Sequence, residues 1–172
     1  MEKLIIGFSK PKKFKIFAWA IMKGYNIPYD HVYVRIHSDK YDRDLIYQAS
    51  RMMVNFMSPA LLEEENIIVA EFELDITTEN KIKLMQFAID NAGRNYGVKQ
   101  AIGMAWVRIN ELCSKIVKNP YKDDGATYVC SELVSFVLEE VSDLKIDKDT
   151  DDMTPLDVYN VVKDLKNGSP NA

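Results

Sequence analysis

The chain has very few of the residues that build disulfide frameworks and metal centres. Only two cysteines and two histidines occur among 172 residues. Cys113 and Cys130 are too few and too far apart for a disulfide scaffold or a zinc knuckle, so both are expected to remain free thiols. The acidic run "DKDTDD" lacks the glycine and the terminal glutamate of a calcium loop. We therefore expect no cofactor and no metal site.

The chain also has a small net charge and no long hydrophobic run. The formal net charge is −4 and the pI is about 5.3, so the chain as a whole is not built to follow a polyanion, and no nucleic-acid partner is expected. No apolar run approaches the length of about 20 residues that spans a bilayer. The first residues do not resemble a secretory signal, which makes a cytoplasmic location the expectation. Hydrophobic residues make up 47% of the chain, which predicts one domain over residues 1–172 with a sizeable core.

Short apolar or alternating segments dominate the first half of the chain and predict β-strands. A helix over Lys10–Gly24 is predicted between the first two strands, with Pro11 near its start and Gly24 near its end. Because the connections are short, an antiparallel sheet is expected. The predicted strands are Lys3–Ser9, His31–His37, Asp44–Ser50, Met52–Met57 and Ile67–Leu74.

The second half changes to a helical period. One helix should begin at a Thr77 or Thr78 cap and end at Gly93, and a second should cover Val98–Lys118. A third is predicted over Thr127–Val141, and a last one follows a Thr154 cap. Together the two halves predict an α+β fold, a small antiparallel sheet packed against helices on one side.

Cys130 begins an apolar stripe on the third of these helices. The residues at its i+3, i+4, i+7, i+8 and i+11 positions are all Leu or Val, so the cysteine faces the rest of the domain. It is therefore either a packed core residue or a nucleophile. Its place in the first helical turn, where free N–H groups and the helix dipole favour a thiolate, supports the second interpretation. Cys113 lies late in a helix and is interpreted as structural.

A cysteine nucleophile needs a base, and the two histidines are the only imidazoles available. His31 opens an alternating strand whose other face is apolar, whereas His37 resembles an exposed strand end, so His31 is the preferred base. Gln48, a polar residue within the apolar run "LIYQAS", is the preferred group to orient the imidazole. Asp30 is an alternative, although neighbouring residues on a strand point to opposite faces. Tyr96 would either line a groove near the site or pack in the core.

Four segments carry a family resemblance: "HVYVRI", "IYQAS", "TYVCSELVSFVLEE" and "MTPLDVYNVV". In this order they resemble the circularly permuted NlpC/P60-like cysteine hydrolases, the branch that includes the YiiX/YebB-like proteins. The resemblance implies a papain-like fold with Cys130 as nucleophile, His31 as base and Gln48 as third polar residue. Gln48 departs from the pattern, because a carboxylate is frequent there.

The resemblance also implies a cysteine peptidase, amidase or acyltransferase type of chemistry. Cys130 would attack an amide or ester carbonyl of a peptide or acyl-lipid substrate and form an acyl-enzyme. The competing interpretation is a binding protein on the same fold that is catalytically weak or inactive. In one form of this interpretation the protein is encoded by a phage and binds a host component. The basic segment Lys10–Lys15 would either be a solvated face or contact a membrane surface.

Overall fold

A computed structural model describes residues 2–50, 52–112, 114, 117, 120–121, 127–142 and 146–167. In these residues the fold is mixed α/β, with a seven-stranded sheet and six α-helices. The strands are β1 (Glu2–Pro11), β2 (His31–Ser38), β3 (Arg43–Ser50), β4 (Met53–Met57), β5 (Asn66–Ile76), β6 (Asn95–Tyr96) and β7 (Thr127–Tyr128). The helices are α1 (Ile16–Tyr25), α2 (Pro59–Glu65), α3 (Thr78–Asn91), α4 (Val98–Leu112), α5 (Cys130–Ser142) and α6 (Pro155–Lys166).

The sheet is antiparallel over most of its width, as the short connections predict. The strand order is β5-β1-β2-β3-β4-β6-β7, and every neighbouring pair from β5 to β6 is antiparallel. The prediction is wrong at the far edge, where β6 pairs with β7 in parallel. These two strands have only two residues each, too few to produce a period-2 pattern in the sequence.

The main core lies between one face of the sheet and α5. Val32, Val34 and Ile36 of β2 are buried there, as their alternation predicts. The apolar stripe of α5 that follows Cys130 is buried against this face and confirms the predicted helix orientation. It consists of Leu133, Val134, Val137, Leu138 and Val141.

A smaller cluster covers the opposite face of the sheet. Tyr33 and Ile46 are fully buried there beneath Leu62 of α2. The prediction that all helices lie on one side is therefore wrong. The helix on this face, α2, begins with a Ser58 side-chain cap and has Pro59 in its first turn.

The boundaries of three predicted helices also require correction. The helix expected over Lys10–Gly24 begins only at Ile16, because Lys10 and Pro11 continue β1 and pair with β5. The helix expected to reach Lys118 ends at Leu112, and Ser114 has a left-handed backbone with φ 59°. The helix expected from Thr127 begins at Cys130. Cys113 and Lys118 lie outside the described residues.

The remaining predicted helices begin where their caps indicate. Thr77, not Thr78, accepts the capping hydrogen bond of α3, from the N–H of Asn80. Thr154 and Asp157 form a reciprocal capping box at the start of α6, with Pro155 in the first turn. None of the helices in the described part of the chain is long and apolar enough to cross a membrane.

Gly7 makes a close cross-strand contact that should be sensitive to substitution. It pairs with Tyr33, and a Cβ at Gly7 would overlap the phenol ring of that fully buried side chain. The ring is held by a 2.8 Å hydrogen bond from its hydroxyl to Glu71. We expect Gly7→Ala to lower the free energy of unfolding in urea by about 1–3 kcal/mol, because the ring must move.

Gly24 offers a matched control for this substitution. It lies in α1, and a Cβ there would meet only Arg108 Cγ, at 3.8 Å. Gly24→Ala should leave stability unchanged or raise it, because alanine favours a helix over glycine by about 0.5–1 kcal/mol. Equal stability of the Gly7→Ala protein and the native chain would contradict the proposed overlap.

Candidate functional site

Cys130 is the first residue of α5, and only Val129 separates it from the edge strand β7. The first helical hydrogen bond runs from the Leu133 N–H to the Val129 carbonyl, which places Cys130 in the first turn. Glu132 stabilises this helix start, because its carboxylate accepts the Val129 N–H at 3.2 Å. The backbone N–H groups of Val32 in β2, of Ser131 and of Cys130 itself lower the pKa of the Cys130 thiol.

The Val32 N–H can act on the thiol because β2 and β3 separate at this point. Their ladder runs from Ser38↔Arg43 to Val34↔Tyr47, and the first three residues of β2 pair only with β1. Gln48, Ala49 and Ser50 of β3 pair instead with β4. The separation leaves the β3 side of the β2 N-terminal end open, and the start of α5 lies against it.

A side-chain hydrogen bond joins the two strands beyond their last backbone pair. His31 Nε2 lies 2.7 Å from Gln48 Oε1. An amide oxygen only accepts, so Nε2 must carry the proton and Nδ1 is left as the basic nitrogen. Gln48 is itself fixed, because its Nε2 donates to Asn55 Oδ1 at 3.4 Å and contacts Met57 Sδ. The buried amide is therefore held with its oxygen towards the imidazole.

The three predicted site residues line one cavity of about 160 Å³, with Cys130, His31 and Gln48 all in its wall. A second, more apolar cavity of about 150 Å³ lies on the other side of Cys130, between α1 and α4. Both cavities share Phe17, Ile21, Asp30, Tyr96 and Cys130. Cys130 therefore lies in the wall of both cavities.

Burial keeps both titrating groups neutral in the resting protein. It lowers the pKa of His31 to about 4, against a smaller opposing effect of the Gln48 hydrogen bond, and the charge of Lys15 lowers it further. It also raises the pKa of Cys130 to about 11, although the Val32 N–H acts in the opposite direction. Near pH 7 the pair is thus a thiol and a neutral imidazole, and not an ion pair.

Asp30 and Tyr96 line both cavities together with Cys130. Asp30 Oδ1 is buried without a hydrogen-bond partner, and burial raises the pKa of this carboxyl to about 6. The Asp30 charge raises the pKa of the Cys130 thiol, and the hydrogen bond to His31 Nε2 comes from Gln48, not from Asp30. Burial likewise raises the pKa of Tyr96. Tyr96 lines both cavities, which is one of the two alternatives considered from the sequence, whereas no sequence signal places Asp30, which lies in a bend.

His37 lies at the other end of β2, on the surface. Its Nδ1 is 2.9 Å from Asp44 Oδ1, and this hydrogen bond is the main cause of its raised pKa. Since the chain has two histidines, His31 is the only imidazole in the wall of the Cys130 cavities. Among the described residues, no group of three His, Cys, Asp or Glu side chains could hold a metal ion.

No protein-family model matches the chain, and no curated protein matches it in sequence. The resemblance to the permuted NlpC/P60-like hydrolases therefore depends on the four segments quoted above. The roles of Cys130, His31 and Gln48 remain predictions, which the following experiments address.

The buried carboxyl of Glu132 should make stability depend on pH. Burial, and next the side chain of Asp151, raise its pKa from 4.5 to about 8. The folded state thus binds more protons than the unfolded state between these pH values, and stability is lost as pH rises through 8. We expect Glu132→Gln, which can still accept the Val129 N–H, to gain at least about 1 kcal/mol at pH 9 relative to the native chain.

Urea unfolding of both proteins at pH 5 and pH 9 measures this difference. At pH 5 the native Glu132 is protonated in the folded state, so the two proteins should differ little. An equal difference at both pH values would show that the Glu132 carboxyl does not titrate as described.

Proposed function

We propose that the chain is a thiol hydrolase of the permuted papain-like type, which cleaves an amide or ester through an acyl-enzyme. One observation carries the proposal. The thiol at the start of α5 and the imidazole bound to Gln48 line the same cavity, and the Gln48 bond leaves His31 Nδ1 as the free base. The proposed roles are nucleophile for Cys130, general base for His31 and positioning residue for Gln48.

The resting pair is neutral, so proton transfer must accompany attack. His31 Nδ1 takes the thiol proton as Cys130 Sγ forms a bond to the carbonyl carbon. The carbonyl oxygen gains the negative charge, and the free N–H groups of the first turn of α5 are suited to stabilise it. Collapse expels the amine or alcohol, which receives the proton from Nδ1, and a thioester remains.

The second half of the cycle reverses the proton path. A water attacks the thioester while His31 Nδ1 accepts its proton, and collapse returns the proton to the sulfur and releases the acid. Replacing water with another acceptor at this step would give an acyltransferase. The apolar cavity between α1 and α4 suits an apolar acyl or side-chain group on the substrate.

The competing proposal is a binding protein that keeps the fold without turnover. Two observations favour it. The raised pKa of Cys130 and the lowered pKa of His31 oppose formation of an ion pair. A neutral Gln48 also provides no negative charge to stabilise an imidazolium. The experiments below distinguish a slow enzyme from a protein without turnover.

Single-thiol variants test the nucleophile. Cys113→Ser leaves only Cys130, and Cys130→Ser leaves only Cys113, which provides the matched control. With an activated acyl ester, we expect a thioester on Cys130 at a rate well above that on Cys113, measured by intact-protein mass spectrometry. Adding His31→Ala to the Cys113→Ser protein should slow acylation at least about 100-fold at pH 7, because the general base is lost.

Equal and slow acylation of the two single-thiol proteins would exclude the hydrolase and leave the binding protein. The pH dependence gives a further criterion. In the His31→Ala protein, thiolate formation alone should control the rate, which should rise about tenfold per pH unit up to about pH 11, the pKa of Cys130.

Gln48 offers a separate test of imidazole positioning. Gln48→Glu would present a carboxylate to His31 Nε2 and raise the pKa of His31 above its value of about 4. We expect the NMR titration of His31 to move upwards and acylation of Cys130 to become about tenfold or more faster near pH 7. Gln48→Leu removes the acceptor and should slow acylation. Equal acylation rates in all three proteins would contradict a positioning role.

A further inference from the structure

Four large apolar side chains near the start of α1 are exposed. Phe14 and Ile16 are 78% and 73% exposed, and Phe17 and Trp19 are close to half exposed. Clustered exposed aromatics of this size are uncommon on a protein that has no partner for them. Ala18, between them, is the buried residue of this helix, and the four exposed side chains lie outside the core.

A second exposed apolar stripe lies on the neighbouring helix. Val98, Ile102 and Trp106 of α4 are each about half exposed and recur every four residues, which places them on one face. The two helices are joined where Arg108 Nε donates to the Gly24 carbonyl at 2.9 Å. We call these exposed residues the α1–α4 surface: Phe14, Ile16, Phe17, Trp19, Val98, Ile102 and Trp106.

The segment that carries the α1 part of this surface is basic. Between Lys10 and Tyr29 the chain has five lysines and no acidic residue, although its net charge is −4. None of these lysines forms an ion pair with another described residue, whereas Lys3, Lys81 and Lys148 elsewhere all do. The five are Lys10, Lys12, Lys13, Lys15 and Lys23.

We propose that the α1–α4 surface docks the chain on a bilayer that contains anionic phospholipids. Aromatic and aliphatic side chains would enter the headgroup region while the lysines contact the phosphates. The observations favour a bilayer over a nucleic acid, because the centre of the patch is apolar and has few hydrogen-bond donors for bases. The proposal does not depend on the chemistry assigned to Cys130.

The docked orientation has a consequence for the cavities. Phe17 belongs to the α1–α4 surface and also lines both cavities beside Cys130. Docking would therefore place the edge of those cavities at the lipid surface. A substrate held in the membrane would reach the thiol without crossing bulk water.

The two tryptophans make the proposal measurable. Trp19 and Trp106 are the only tryptophans of the chain, and both belong to the proposed surface. The full chain with Cys130→Ser is mixed with vesicles of phosphatidylcholine, with or without phosphatidylglycerol. We expect a blue shift of tryptophan emission and co-sedimentation only with the anionic vesicles, and both should decline as salt rises.

Matched lysine variants test the charge contribution. Lys12→Gln with Lys13→Gln should weaken partitioning into anionic vesicles by about 10- to 30-fold, the effect of two lysines near an anionic surface. Lys163→Gln with Lys166→Gln on α6 changes the net charge equally, at exposed sites. Lys166 lines a cavity together with Lys3, which lies at the opposite end of β1 from Lys10. Because the α6 lysines are distant from the α1–α4 surface, this control should bind the vesicles as the parent protein does.

An apolar variant completes the test. Phe14→Ser with Ile16→Ser should also reduce partitioning, while circular dichroism stays unchanged because both side chains are exposed. The proposal is overturned if the protein ignores both kinds of vesicle, which would leave an acidic protein as the partner that fits. It is also overturned if the Lys163 and Lys166 control loses as much affinity for anionic vesicles as the Lys12 and Lys13 variant. Since the Cys130→Ser protein is used, failure here does not affect the proposed hydrolase.

Discussion

The hydrogen bond between His31 and Gln48 lies where the central sheet stops being continuous. Backbone pairing holds β2 to β3 as far as Val34 and Tyr47, and beyond that pair the strands separate. A separation of two strands exposes backbone N–H groups that must find other partners. The Val32 N–H lowers the pKa of the Cys130 thiol, and the side chains of His31 and Gln48 bridge the gap. The same break in the sheet thus admits the start of α5 and creates the candidate site.

Burial at this break sets the chemistry of the pair. Desolvation disfavours the charged form of each group. It therefore weakens the affinity of the imidazole for a proton and strengthens the affinity of the thiolate for one. Three backbone N–H groups act against desolvation, because they stabilise negative charge on the sulfur. Such a site is inactive in its resting state and depends on a substrate carbonyl to take up the charge as it forms. Low reactivity of the thiol towards reagents that carry no acyl group is therefore compatible with the proposed hydrolase, whereas slow acylation is not.

The sequence predicts those parts of the molecule whose residue patterns extend over several positions. The buried stripe of α5, the alternation of β2 and the threonine caps of α3 and α6 each extend over several residues, and the structure matches them. It does not predict β6 and β7, which are too short for a pattern, or the start of α1, where pairing with β5 overrides the helix signal of Pro11. Separation of β2 from β3 is a tertiary property, so neither the Val32 contact nor the unpaired Asp30 carboxyl could be inferred from sequence.

Lys15 connects the candidate site with the proposed docking surface. It lines the polar cavity, and its charge adds to the effect of burial in lowering the pKa of His31. It also belongs to the group of lysines beside the α1–α4 surface. Anionic headgroups beside Lys15 would offset its positive potential, because opposite charges at short range cancel at a third site. Docking of the α1–α4 surface would therefore bring anionic headgroups next to the wall of the candidate site.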